Sequence, residues 1–300
     1  IIYRYRKVLP ASCIVNLQGE NGINIIYAWL ATYAKMRSWA TNKEQKKAIE
    51  KALSKISDSE VHNEENDIKD LLKKRKYIVL QGAPGTGKTY TALNIAEGYD
   101  QTFFEQFHAE TTFSDFVYGI EPNMSGNMSQ PQFKAKTGIL YQAVKYAIDH
   151  KYEKVLLIID EINRANLSNV LGPVFYLFEY QTGERNVEIS VGDMKLTQLP
   201  DNLYVIATMN TADRSLAVVD FALRRRFAWY TLRPHEITPG DGKKFMKETY
   251  NKFADIFFQY ATDDELNLQP GQSYFIVGTD KSAEEMKERM IYELLPLLKE

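Results

Sequence analysis

The chain has 300 residues, 44% hydrophobic and 25% charged, enough for one large domain with a real core plus a smaller one. A formal net charge of −2 excludes a globally basic nucleic-acid binder, so any charged partner must meet a local patch. The single cysteine, Cys13, excludes an internal disulfide framework and a cysteine-based zinc site and fits a reducing cytoplasm, and no apolar run reaches the ~20 residues of a membrane span.

From Ile1 to about Ile56 the sequence is basic and holds an apolar run of helical period, Ile23 to Trp39. This allows a DNA-binding reading, but amphipathic helices with lysines on the wet face are commoner and preferred. Asp58 to Asp70 is acidic and polar, a linker or an exposed helix start. The chain opens on Ile rather than Met and closes inside an amphipathic pattern, so both ends read as cut from a longer protein. His62, His108, His150 and His235 are scattered without ligand spacing.

From Tyr77 to about Pro234, strand-like runs alternate with helical patterns, which predicts an α/β domain with a five-stranded parallel sheet covered on both faces. The strands are expected at Tyr77–Gln81, Phe103–Phe107, Val155–Ile159, Leu203–Thr208 and Phe227–Leu232, with a β-hairpin over Val187–Thr197 turning at Gly192-Asp193. Gly172-Pro173 should kink the helix that follows the third strand, because proline removes a hydrogen bond. After Pro234 the pattern is helical, Lys243–Tyr260 and Ala283–Lys299, around an irregular piece with Pro270, Gly271 and Ser273-Tyr274-Phe275. The expected organisation is an N-terminal segment and linker over 1–70, a nucleotide-binding domain over 71–235 and a truncated helical lid over 236–300.

Gly82, Ala83, Pro84, Gly85, Thr86, Gly87, Lys88 and Thr89 fit G-x-x-x-x-G-K-[ST] directly after the first strand, with Tyr90 next in the helix. Glycines let successive amides turn inward around phosphate oxygens, and the helix start adds its positive dipole end. Lys88 is expected to reach the β- and γ-phosphates and Thr89 to ligate Mg²⁺. Val155 to Ile159 is an apolar strand ending in Asp160-Glu161; Asp160 is the candidate Mg²⁺ holder and Glu161 the general base. Asn210, at the end of the strand expected beside Asp160, should point at the γ-phosphate and the attacking water. Arg224-Arg225-Arg226 closes a helix before the last strand, either as a solvated helix end or as an arginine finger that reaches a neighbour's nucleotide in a ring.

These segments together resemble the McrB-like GTPases of modification-dependent restriction systems, within the dynein-related AAA class. The resemblance covers roughly Tyr77 to Lys299 and rests on Asp160-Glu161-Ile162-Asn163-Arg164-Ala165-Asn166, Met209-Asn210-Thr211-Ala212-Asp213-Arg214-Ser215, Ala222 to Phe227, and Phe107-His108 to Gly119 with Phe113, Asp115 and Phe116. It implies an AAA+ fold, a hexameric ring that hydrolyses nucleotide with Mg²⁺, a McrC-like nuclease partner, and DNA engaged through the complex or a missing N-terminal domain. It also implies that Asn210, Asp213 and Arg214 belong to the hydrolysis apparatus and that Arg225 is the trans-acting finger, with Arg224 and Arg226 as alternatives. The chain departs from the family in Gln272, where His is expected, which puts the lid's contact with nucleotide in question.

GTP is favoured by the resemblance alone, since no Asn-Lys-x-Asp loop stands at a suitable place, and ATP remains the alternative. The competing functional readings are a MoxR-type ATPase remodelling protein clients and a nucleotide-gated scaffold without turnover. Glu161, Asn210 and the arginine run count against the scaffold.

Overall fold

The computed structural model describes residues 64–123, 132–179, 187–212, 221–260 and 268–297. The basic N-terminal segment with Cys13 and Ile23–Trp39, Asp213, Arg214 and Tyr180 lie outside the described residues. Glu64–Met246 and Pro270–Glu300 form one compact unit, and Lys247–Gln269 belongs to a second.

In the first unit, helix α1 (Glu64–Arg75) leads into β1 (Tyr77–Gly82), and α2 (Lys88–Ala96) into β2 (Gln101–Gln106). A short α3 (Phe113–Phe116) and a hairpin of β3 (Tyr118–Pro122) and β4 (Phe133–Thr137) precede α4 (Ile139–Asp149) and β5 (Val155–Asp160). After α5 (Leu167–Leu171), the hairpin of β6 (Ile189–Val191) and β7 (Met194–Leu196) leads to β8 (Leu203–Asn210), α6 (Phe221–Arg226) and β9 (Ala228–Thr231). The expected five-stranded sheet is present, parallel throughout, in the order β2-β5-β8-β1-β9.

Why these runs make a central sheet follows from where successive side chains go. In β1, Ile78 and Leu80 join one core while Tyr77 and Val79 join the other; in β5, Leu156 and Ile158 oppose Val155, Leu157 and Ile159. A strand apolar on both faces is stable only when both are covered, and the crossover helices of a parallel sheet do this. α4 covers one face through Leu140, Ala143, Val144 and Ala147, the helical spacing of a buried stripe. Ile68 and Leu72 of α1 and Ala92 and Ile95 of α2 cover the other.

Two local expectations are corrected. Lys243–Phe245 is not helical but a strand, β10, pairing antiparallel with β11 (Ile276–Gly278). A turn at Gly242, whose φ is +73°, sets up that pairing, and the helix begins only at Lys247. The helix expected over 283–299 is uneven: α8 (Ser282–Arg289) passes through a π-type turn over Met290–Leu294 into a short α9 (Leu295–Leu297), and positions 298–299 lie outside the described residues. Pro296 has no N–H for the regular ladder there.

At Gly172-Pro173 the helix ends rather than bends: α5 stops at Leu171, Gly172 takes φ +23°, and a 3₁₀ segment runs to Phe178. The hairpin turn at Gly192 (φ +64°) lies against the Tyr118 and Tyr141 rings, where a Cβ would sit 2.6 Å from the first and 2.8 Å from the second. In the second unit, α7 (Lys247–Tyr260) pairs Phe253 with Phe257 one turn on, ring centroids 5.4 Å apart.

Candidate nucleotide site

The parallel sheet brings four strand ends to one edge. Gly82 of β1 lies in register with Asn210 of β8, and Gln106 of β2 with Asp160 of β5. Ligands of such sheets sit at the carboxyl ends of the strands.

The glycine-rich loop follows β1 there. Gly85 and Gly87 have φ +79° and +87°, a left-handed region that side chains strain to enter, and Gly87 caps α2. Thr86 Oγ1 donates to the Ala83 carbonyl at 2.9 Å and closes the loop on itself. Lys88 is 8% exposed and its ammonium donates to the Gly82 and Ala83 carbonyls at 3.0 and 2.9 Å. Tyr90, on the first turn of α2, is 70% exposed.

A second layer of contacts centres on Asp160. Thr89 Oγ1 donates to its Oδ1 at 2.6 Å, Thr208 Oγ1 donates to the same oxygen at 2.7 Å, and Gln106 Nε2 donates to Oδ2 at 3.2 Å. A threonine hydroxyl and a carboxylate beside a phosphate loop are hard oxygen donors of the kind Mg²⁺ takes, with phosphate oxygens and water completing its shell. These residues fit the ion.

Glu161 follows with φ +54°, a left-handed conformation rare outside glycine. Its amide donates to Thr208 Oγ1 at 3.0 Å. Its Oε2 is buried, accepts no hydrogen bond among the described residues, and is ion-paired with Arg164, whose Nε lies at 3.4 Å. Asn163, buried, donates from Nδ2 to the Asn210 carbonyl at 3.2 Å. Asn210 Oδ1 accepts from the Ala212 amide at 3.3 Å.

The arginine run divides by environment. Arg226 has a side chain 10% exposed, donates to Glu179 at 2.8 Å, and lies over the Phe175 ring at 4.5 Å. Arg225 is 74% exposed, with the same carboxylate at 3.6 Å, and Arg224 stacks over Trp229 at 5.3 Å.

Sequence reasoning missed Gln106, Thr208 and the strap over the loop made by the segment after Pro270. The Gly271 amide donates to the Pro84 carbonyl at 2.8 Å, the Ser273 amide to Gly85 at 3.1 Å, and Gln272 Nε2 to Thr86 at 3.0 Å. Gln272, the departure from the expected His, is buried there, its Oε1 accepting no hydrogen bond among the described residues. Gly271 is required: a Cβ would come within 2.0 Å of the Gly85 carbonyl carbon. For Thr208 the available signal was a hydroxyl two residues before Asn210 on an otherwise apolar strand.

A family described as an AAA domain of the dynein-related subfamily matches residues 77–227, and one described as the res subunit of type III restriction enzymes matches 38–113. The chain is 35% identical over 269 residues to the Type IV methyl-directed restriction enzyme EcoKMcrB subunit of Escherichia coli K12, covering 79% of this chain and 56% of that protein. It is 27% identical over 189 residues to the Type II restriction enzyme BsuMI component YdiS of Bacillus subtilis 168, covering 50% of this chain and 55% of that protein. The chain thus spans just over half the length of these curated relatives.

Proposed function

This chain belongs to the dynein-related AAA subfamily as a McrB-like member, and from that premise we propose that it is the nucleotide-hydrolysing motor subunit of a restriction-type nuclease complex. The observation that carries the reading is Thr89 and Asp160, 2.6 Å apart at the mouth of a phosphate loop, with Glu161 next in the chain. GTP is the favoured substrate by the family resemblance, with ATP as the alternative. The working form is a hexameric ring in the cytoplasm with a McrC-like nuclease partner, reaching DNA through that complex. Its organisation is the N-terminal segment 1–70, the nucleotide domain 71–235 and the lid 236–300.

In this reading the loop amides around Gly85 to Thr89 receive the phosphates. Lys88 exchanges its two carbonyl partners for phosphate oxygens, a stronger charge-assisted pairing. Thr89 and Asp160 would hold Mg²⁺, which when bound offsets charge on the phosphate oxygens. Glu161 takes the proton of the attacking water and Asn210 orients that water, with Asp213 and Arg214 completing the apparatus. Arg225, supplied from the next protomer, stabilises charge that builds in the transition state.

The test is phosphate release from GTP and ATP side by side, with and without the McrC-like protein. Turnover raised by that protein supports the reading. Turnover raised only by a protein client would replace it with the remodelling ATPase, and no turnover of either triphosphate would end it.

A further inference from the structure

We propose that Thr208 is a positioning residue that locks the Mg²⁺-side carboxylate of Asp160 to the backbone of Glu161, so that the metal holder and the base are set as one unit. The inference rests on the nucleotide-hydrolysis reading above and deepens it.

The direction of each hydrogen bond around Thr208 is fixed by chemistry. The Glu161 amide can only donate, so Thr208 Oγ1 accepts from it at 3.0 Å. With that lone pair taken, the single hydroxyl hydrogen is left for the other neighbour and goes to Asp160 Oδ1 at 2.7 Å. The hydroxyl therefore has one orientation, and Thr208, 1% exposed, has no water to turn to.

What it ties together is unusual. Glu161 holds φ +54°, and such a conformation persists where surrounding contacts over-determine it. The amide bond to Thr208 is one such contact. Asp160 Oδ1 is shared between Thr208 and Thr89. Thr89 is itself a candidate ligand of the metal, so Thr208 is the hydroxyl that holds Asp160 from behind. Gln106 steadies the other oxygen at 3.2 Å. Partners standing behind a metal ligand fix its orientation and tune affinity.

The experiment compares Thr208→Val, which keeps shape and strand preference but loses the hydroxyl, with Thr208→Ser, which keeps the hydroxyl. A fluorescent triphosphate is bound in EDTA and then across a Mg²⁺ titration, and turnover is measured in parallel. The valine variant should bind triphosphate as the native chain does in EDTA, yet need about tenfold more Mg²⁺ for half-effect and turn over about tenfold more slowly at saturation. The serine variant should stay within about twofold of native on both measures. The proposal is overturned by a valine variant that matches native in the Mg²⁺ titration, by a serine variant as impaired as valine, or by loss of EDTA binding with valine, which would make Thr208 a folding residue. If the native protein binds the Mg²⁺-triphosphate but hydrolyses neither GTP nor ATP, the function reading fails while the binding titration still decides Thr208.

Discussion

Lys88 is folded back onto Gly82, its ammonium 3.0 Å from the carbonyl that ends the first strand. The lysine is thereby kept buried at the place where phosphate oxygens would replace the carbonyls. Lys88→Ala should weaken triphosphate binding about a hundredfold, the loss of ~3 kcal/mol for charge-assisted bonds. Equilibrium titration with either triphosphate reads this directly, and unchanged affinity would contradict it.

Glu161 combines the proposed base role with a left-handed backbone, and substitutions separate the two. Glu161→Gln should retain triphosphate but lose turnover by about a hundredfold or more, the scale of general base catalysis. Glu161→Gly should be as inactive, yet melt no lower than the glutamine variant, because relief of left-handed strain of roughly 1–2 kcal/mol offsets glycine's entropy. Thermal melting of the pair checks the backbone claim independently of activity.

Among the arginines, Arg226 is built in and Arg225 is presented outward. Arg226→Ala leaves Glu179 without its 2.8 Å partner and uncovers Phe175, and should destabilise the fold by about 3 kcal/mol. Arg225→Ala should leave the melting temperature within a degree or two, since exposed pairs contribute little. Under the proposed ring arrangement it should lower turnover by about a thousandfold, as loss of a finger does. Denaturant unfolding and turnover above the assembly concentration test the two halves. Loss of turnover with Arg226 alone, its fold intact, would reverse the assignment.

Asp115 closes a capping box with Thr112 and pairs with Lys136 of the β3–β4 hairpin. Hydrogen bonds from Lys136 and from the Thr112 side chain and amide hold its carboxyl down at about 2, against an ordinary 3.8. A depressed carboxyl stabilises the fold fully above the unfolded value and loses that contribution as pH falls through the folded one. Melting temperatures should therefore fall between about pH 4 and pH 2 by more in the native chain than in Asp115→Asn. Parallel curves for the two would show that the cluster contributes nothing to acid stability.

The parts that were legible in the sequence are those encoded by contiguous residues. Four buried residues in a row at Tyr77 to Leu80, followed by the glycine loop, and six in a row ending at Asp160, announce both strands and their acid-bearing edge. Contacts made across the chain were not legible. Lys243–Phe245 reads as helix because its partner, Ile276–Gly278, lies some thirty residues away. The β3–β4 hairpin has a short period-2 pattern, with Lys134 and Lys136 alternating with Phe133 and Ala135, but five residues a strand are few, and Ile120 and Phe133 are exposed rather than turned into a core. Thr208 and Gln106 gain meaning only once parallel registry sets them beside Asp160.

The strap from Gly271 to Ser273 gives the nucleotide loop a dependence that its compact consensus hides. Three successive carbonyls, those of Pro84, Gly85 and Thr86, have their donors supplied by residues nearly two hundred positions downstream. A version of this protein shortened to the sheet and its helices would keep the consensus but lose the three bonds that hold the loop's carbonyl side in place, leaving its shape to water and to the loop's own Thr86–Ala83 contact.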